Sequence, residues 1–597
     1  MSSQVVKFLT SLGCGGTSSK KPLYDIVSDS NQTAVSIGLN HKFRWKILER
    51  VSPRYAASSG LPYVIAQLLY NRGVKLAEID AFLAADQRLA GNPFLLPDMA
   101  PAVSRIYRAV LSREKIAVYG DFDVDGVSAA AILAEGLSWL GVQVVPYIPD
   151  RLKEGHGLNM QALEKLHAQG IRLVITVDCG VTDLEAVEQA RQMEMDVIIT
   201  DHHVPLEGLP QAAAVINPKR KDSRYPYSDL AGAGVVFKLL QALYHGDRRE
   251  RTLDQFLDLI ALATVTDLVP LLGENRYLVK QGLKQLNRTC RIGIQELVGL
   301  AGLTPGEIDT DDISWALGPR LNAAGKVDDA SVSYRLLLTK SSEEARLLAL
   351  ELERKNQERQ KLSSEVLALA KQKLAPKMHL PLLIDADEHY PVGVLGLVAS
   401  KLVDEFYKPA IIINIGQGKC RGSCRSIPEF DLISILGECR DLLISVGGHA
   451  LAAGFTVLQR DLAQLEERLT NLAVQQLGNL DLRPVIAIDA EVPLATFTDV
   501  PLNFIERLSP FGRGNPEPIF LTRGVEVVEC RDSSEEGGWL KLKLRQGNIT
   551  WQAVDFESKR KSEEIPPRID IVYSLGRSSW NGKEVMCLNL RDFVPAQ

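Results

Sequence analysis

Ala117-Val118-Tyr119-Gly120-Asp121-Phe122-Asp123-Val124-Asp125-Gly126 decides the fold. The residues Lys115 to Tyr119 read as a short buried strand, and the chain then meets three aspartates at every second position. An extended backbone alternates its side chains, so Asp121, Asp123 and Asp125 share one face if the strand continues. Three carboxylates on one face repel one another unless a cation sits among them. Gly126 permits a tight turn, and Val127 to Leu140 reads as a helix. A strand end that delivers acids to the mouth of a sheet is a place for a hard metal ion.

Outward from this stretch a strand–helix rhythm sets in. Strands are expected at 115–120, 142–148, 171–178 and 196–201, with helices at 127–140, 159–168 and 182–193. The strands are apolar almost throughout, as in a parallel sheet covered on both faces. Residues 42–112 read as helices feeding this sheet. Ser341 to Ala375 carries no Gly or Pro and opens on a capping box of Ser341 and Glu344, so it reads as one long helix. Its charged middle, Glu351 to Arg359, suits a helix that bridges two domains through solvent. A second α/β unit follows, with strands at 410–415 and 419–424 and helices near 394–406 and 431–443. Past Asp481 short strands near 485–490, 524–530, 539–544, 549–554, 569–574 and 584–591 suggest a small β-barrel.

A chain of 597 residues is too long for one core. The domains expected are an extension at 1–40, rich in Ser, Gly and Thr, a catalytic α/β domain at 41–340, a connecting helix at 341–376, a smaller α/β domain at 377–481 and a β-barrel at 482–597. No apolar run reaches membrane-spanning length. The net charge of −6 argues against a protein coated in positive charge, so any nucleic acid must be met by a local basic groove or through metal ions. Eight scattered cysteines without a CxxC pair speak for a reduced, cytoplasmic setting and against a zinc site.

Three more motifs follow ends of the first domain's elements: Val177-Asp178-Cys179-Gly180, Thr200-Asp201-His202-His203 and Thr266-Asp267. In a parallel sheet such C-terminal ends lie side by side, so two imidazoles and several carboxylates converge on one crevice. Mixed Asp/His ligation suits Mn²⁺ or Mg²⁺, and there are ligands enough for two ions sharing a carboxylate. Two such ions are the usual apparatus for splitting phosphodiesters.

These four motifs, in this order, resemble those of the DHH-family phosphoesterases. Gly318 to Gly325, Gly422-Ser423-Cys424-Arg425-Ser426, Gly447-Gly448-His449-Ala450 and Pro510 to Pro518 extend the resemblance to the RecJ-type exonucleases of that family, over about residues 45–597. The resemblance implies a DHH domain, a DHHA1 domain and a terminal OB-fold. It implies that Asp121, Asp123, Asp178, His202 and Asp267 hold the metals, with Asp178 bridging, and that Asp125 ligates or steadies the turn. His203 then contacts the scissile phosphate, so that the catalytic set is Asp123, Asp178, His202 and His203. Arg151, Arg320, Asn322, Ser423, Arg425 and His449 are its substrate-binding candidates. Lys326 and His156 depart from the family, which usually carries Arg and Tyr there.

The activity implied is a metal-dependent 5′→3′ exonuclease that degrades single-stranded DNA to mononucleotides in repair and recombination. Single-stranded DNA is the partner, and a single-strand-binding protein and a helicase are the protein partners this setting suggests. The alternatives are a DHH phosphodiesterase for short oligoribonucleotides or cyclic dinucleotides, a manganese pyrophosphatase, and a non-catalytic DHH scaffold. Lys541, Lys543 and Arg545 alternate, so they form one cationic face of the barrel that can hold the strand. The catalytic crevice lies within 115–270, so removing 482–597 is expected to leave hydrolysis of very short oligonucleotides intact, given soluble expression.

Overall fold

The strand–helix alternation forms, and its topology decides where the acids lie. The computed structural model describes residues 42–596 apart from 151–153, 328–329, 500–501, 533–538, 557–560 and 581–582. The expected extension at 1–40 and Arg151 fall outside the described residues. These form two compact units, one of 47–353 with 487–596, the other of 354–486 with 42–46. No described helix is long and apolar enough to cross a membrane.

The first unit begins with helices α1 (Tyr63–Asn71) and α2 (Ile79–Ala84) and then builds a five-stranded sheet. Its strands are β1 (Ile116–Gly120), β2 (Val144–Tyr147), β3 (Leu173–Val177), β4 (Asp196–Thr200) and β5 (Ala214–Ile216), in the order β2-β1-β3-β4-β5. Every pairing is parallel, so all the C-terminal ends emerge on one edge. β1 and β3 are buried along their whole length, as their unbroken apolar sequences require. β5 has three residues, too few to leave a periodic signal in the sequence.

The strand expected at 115–120 does not continue through the aspartates. The strand stops at Gly120, and α3 (Val124–Ser138) starts four residues on. Asp123 is its N-cap, accepting the Gly126 N–H at 3.1 Å, which fixes Asp125 inside the first helical turn. The acids converge through a strand–turn–helix, not along one extended face.

Helices α1 and α2 do not feed this sheet. Val64, Ile65, Leu68, Leu69, Phe82 and Leu83 share a core with Phe520, Leu542, Ile571 and Leu588 of the C-terminal strands. Two further helices, α4 (Gly232–Leu243) and α5 (Leu257–Thr266), pack beside α3 in the main core.

The long helix α6 spans Ser342–Leu374 and carries the chain from one unit to the other. Half of its capping box forms: Ser341 Oγ accepts the Glu344 N–H at 3.3 Å, while the Glu344 carboxylate accepts from Thr339 and Arg335. Its middle is not bathed in solvent as expected, because Leu352, Lys355, Asn356 and Arg359 are buried. Long basic side chains can bury their stems when the head finds a partner, and Arg359 donates to Asn356 Oδ1 at 2.7 Å.

The second unit holds a mixed sheet of β6 (Leu383–Asp387), β7 (Ala410–Ile415), β8 (Lys419–Arg425), β9 (Leu443–His449) and β10 (Ala452–Leu458), ordered β9-β10-β8-β7-β6. Only β6 and β7 run parallel. Helix α7 (Leu395–Phe406) packs on it. The β9–β10 hairpin replaces the end of a helix expected near 431–443: the helix there stops at Glu438, and the chain is extended from Leu443.

The C-terminal strands β11 (Phe520–Asp532), β12 (Leu540–Gln546), β13 (Ile549–Asp555), β14 (Arg568–Trp580) and β15 (Lys583–Pro595) are ordered β11-β12-β13-β15-β14. β14 also pairs with β11, which closes a five-stranded barrel. Such closure leaves no free sheet edge.

Candidate metal centre

Four chain segments deliver acids and imidazoles to the C-terminal edge of the first sheet. Asp121 follows β1, Asp178 follows β3, His202 and His203 follow β4, and Asp267 caps the C-terminus of α5. His202 Nε2 lies 3.1 Å from Asp178 Oδ1, 3.6 Å from Asp267 Oδ2 and 3.9 Å from Asp125 Oδ2. Ligand atoms lie within 4.8 Å of one another in three sets: Asp121, Asp123 and Asp178; Asp125, His202 and Asp267; Asp178, His202 and His203. Asp178 and His202 each belong to two of the three. The Asp178 φ of +61° is left-handed, a conformation that aspartate tolerates better than most residues but still at some cost. A Cβ on Gly232 would come within 2.6 Å of Asp178 Oδ1, so only glycine lets α4 approach this carboxylate.

The cluster is incomplete without cations. Asp121 Oδ1, Asp178 Oδ1, Asp267 Oδ2 and His202 Nε2 are buried and meet no hydrogen-bond partner. Burial, then the neighbouring carboxylates, push the acids upward: Asp267 to about 9, Asp125 to about 7, and Asp178 well above the ordinary carboxylate range. Burial and the charge of His203 hold His202 down at about 3, which keeps its ring neutral and able to ligate. Unsatisfied carboxylate oxygens with a neutral imidazole are the donor set of a hard or borderline divalent ion.

The surroundings sort the remaining residues. Both oxygens of Asp125 are engaged, accepting the Gly232 and Ala233 N–H groups at 2.7 and 2.8 Å. Asp125 thus ties the N-terminus of α4 to the acidic turn. Asp201 accepts backbone N–H groups of Val181, His202 and His203 and lies 2.8 Å from His203 Nδ1. Burial opposes charge on His203, but the hydrogen bond and charge of Asp201 outweigh it and raise its pKa. The His203 side chain keeps 43% of its surface open. His156 Nε2 stands 3.3 Å from Asp121 Oδ2, its ring 6.2 Å from that of His203. Asn322 Oδ1 accepts the Val124 N–H at 3.1 Å and so braces the acidic turn. The roles of Asp201 and of the Gly232–Ala233 pair were not foreseen. Asp201 stood inside a quoted motif, but nothing in the sequence links Asp125 to residues 107 positions away.

The substrate-binding candidates part company. Arg320 is 3% exposed, its Nε 2.6 Å from Glu353 Oε2 and its Nη1 donating to the Ala316 carbonyl. A guanidinium so enclosed is committed to a structural partner and is not presented to a phosphate. In the second unit Ser423 and Arg425 lie two apart on β8, and His449 and Arg425 both stand opposite Ala452. Arg425 Nη1 donates to the Cys424 carbonyl at 2.8 Å and reaches Ser423 Oγ at 3.5 Å. A Cβ on Gly396 of α7 would meet Arg425 Nη2 at 2.8 Å, so glycine clears room for that side chain. The side chain of Lys326 lies outside the described residues.

The patterns of the DHH family N-terminal domain, the DHHA1 domain and the RecJ OB domain match residues 115–264, 379–477 and 488–592. The chain is 37% identical over 563 residues to the single-stranded-DNA-specific exonuclease RecJ of Bacillus subtilis, covering 93% of this chain and 71% of that one. Its fold is similar to the crystal structure of Thermus thermophilus RecJ in complex with Mn²⁺, with a TM-score of 0.78 and 29% identity over 93% of this chain and 80% of the other. The Mg²⁺ complex of that protein gives 0.73 and 28%, over 93% and 79%.

Proposed function

Because the chain belongs to the RecJ family of single-stranded-DNA-specific exonucleases, we propose that its metal centre hydrolyses single-stranded DNA from the 5′ end, releasing mononucleotides. The observation that carries this reading is the convergence of buried, unsatisfied oxygens of Asp121, Asp178 and Asp267 beside the neutral ring of His202. We assign Asp121, Asp123, Asp178, His202 and Asp267 to two ions, Mn²⁺ or Mg²⁺, with Asp178 shared. Bound there, the ions supply Lewis-acid charge that activates water near neutral pH and offsets the charge gathering on the phosphate.

The protein's own residues do the rest. Asp125 serves as a positioning residue, holding the turn that presents Asp121 and Asp123. His203, oriented through Nδ1 by Asp201, turns its other nitrogen to a phosphate oxygen as a donor. Ser423, Arg425 and His449 are the grip for the terminal 5′-phosphate, where a guanidinium forms a strong charge-assisted pair. An enzyme confined to single strands depends on others to open and present them, which is why a helicase and a single-strand-binding protein are the partners proposed, in the cytoplasm beside the DNA.

The test separates chemistry from binding. Asp123→Ala and His202→Ala should lower turnover of end-labelled single-stranded DNA by several orders of magnitude and leave its affinity within a few-fold. Wild-type rates in either variant would sink the two-ion assignment. Labelled mononucleotide appearing from the 3′ end would reverse the polarity.

A further inference from the structure

β5 ends where the ligands begin. Thr200 and Ile216 are register partners on β4 and β5, and the Asp201 N–H donates to the Ile216 carbonyl at 3.1 Å. The residues after Ile216 therefore leave the sheet at the edge where Asp201, His202 and His203 leave it. Asn217, fully buried, fastens the two segments together. Its Nδ2 donates to the His203 carbonyl at 2.9 Å, and its Oδ1 accepts the Lys219 N–H at 2.8 Å. One side chain thus ties the backbone of Lys219 to that of His203.

The three cations of this loop are used differently. Arg220 turns back onto Asp98 at 2.6 Å, Asp222 at 2.7 Å and the Val215 carbonyl at 2.6 Å. Lys221 is exposed. Lys219 is half-buried, and no carboxylate among the described residues pairs with its ammonium.

We infer that Lys219 is a catalytic residue that takes a non-bridging oxygen of the scissile phosphate from the side of the crevice where β4 and β5 end. The inference rests on the exonuclease reading above. A buried amide fixes where the lysine leaves the backbone, next to that of His203, and no carboxylate among the described residues commits its charge. A cation held there in advance gains strength as negative charge builds on the phosphate oxygens, with little to reorganise at the moment of reaction.

Steady-state kinetics on a 5′-phosphorylated single strand at saturating Mn²⁺ test this with Lys219→Ala, Lys219→Gln and Lys219→Arg, alongside Mn²⁺ affinity from the electron paramagnetic resonance of the free ion. Removing one such donor costs about 10²-fold in kcat. That loss is expected in the Ala and Gln variants, with KM within a few-fold and Mn²⁺ affinity unchanged, and Arg should recover at least about tenfold of it. Wild-type kcat in the Ala variant overturns the inference. So does recovery by Gln, a loss confined to KM, or Mn²⁺ affinity falling in step with kcat. A wild-type protein that cuts no single strand would instead overturn the exonuclease reading, and this inference with it.

Discussion

Arg320 and Arg425 sit in similar glycine-bearing segments, and burial separates them. Arg320 is enclosed with Glu353, so Arg320→Ala takes the guanidinium away from a carboxylate that is itself only 15% open. Breaking a buried pair costs about 3 kcal/mol or more, so this variant should unfold at lower urea without losing selectivity for phosphorylated ends. Arg425→Ala should do the reverse: near-native stability, with 5′-phosphorylated strands slowed more than 5′-hydroxyl ones. Equal losses on both substrates would reassign Arg425 to structure or to an internal phosphate. No sequence pattern could have told the two apart, because the partner of Arg320 lies a helix away. The carboxylates make a second prediction at this scale. Asp125 and Asp267 are raised to about 7 and about 9 by burial first, then by the charge of Asp123 on Asp125 and of Asp125 and Asp123 on Asp267, far above the unfolded value near 4. The folded apoprotein therefore holds more protons than the unfolded chain, and its stability must fall as pH rises from about 4 through 9. Divalent ions take the place of those protons. In EDTA the melting temperature should drop between pH 5.5 and 8.5, and Mn²⁺ should raise it most at the upper end. A melting temperature flat in pH without metal would mean that the acids are not held this close together.

At the scale of the element, pattern alone carried a good deal. The apolar runs of β1, β3 and β4 and the uninterrupted length of α6 were legible because a buried strand or a long helix writes its period into its own residues. Register was not legible, and it changes the meaning of the basic stripe on β12. Lys541, Lys543 and Arg545 do alternate, but they stand opposite Arg531, Glu529 and Glu526 of β11. Arg545 Nη2 lies 2.7 Å from Glu526 Oε1, and the ammonium of Lys541 lies 4.6 Å above the Trp539 ring. Opposite charges facing across strands stabilise the sheet and lower what remains for DNA. Each phosphate neutralised on a single strand adds about 0.7 to the log–log slope of affinity against salt. Arg545→Gln should leave that slope unchanged, since its charge is already met by Glu526, whereas Lys543→Gln should lower it by about 0.7. A fall of that size for Arg545 would show that DNA displaces Glu526. The aromatics divide as well: Trp551 is packed against the barrel core, while Phe556 remains exposed beside Trp539.

Across the whole molecule the barrel is part of the unit that holds the metal centre, which sequence order hides. Residues 63–84 and 487–596 stand at opposite ends of the chain, so no local period could pair them, yet they fill one core. Arg276, fully buried, sits at their junction with the catalytic helices. It donates to the carbonyls of Phe82 at 2.7 Å, Leu508 at 2.7 Å, Arg507 at 2.8 Å and Ser509 at 2.9 Å, and stacks over the Phe82 ring at 4.0 Å. Burial, and then the charge of Arg72, pull its pKa down to about 9, and among the described residues carbonyl oxygens hold the charge in place of a carboxylate. The soluble expression on which the truncated protein's activity depends is opposed by this packing. Deleting 482–597 would strip three of the four carbonyls from Arg276 and expose Val64, Ile65, Leu68, Leu69 and Phe82 to water. That piece should be poorly soluble, and should not survive as a small nuclease. Arg276→Ala keeps the chain whole and tests the same junction: carbonyls left without a donor cost about 1–3 kcal/mol each. Calorimetry should show the barrel and the metal-binding domain of the intact protein melting in one transition, shifted upward by Mn²⁺, and Arg276→Ala should lower that transition without splitting it. A barrel that melts separately and ignores Mn²⁺, or a soluble 1–481 fragment that melts like the whole chain, would show that the two are joined only by sequence.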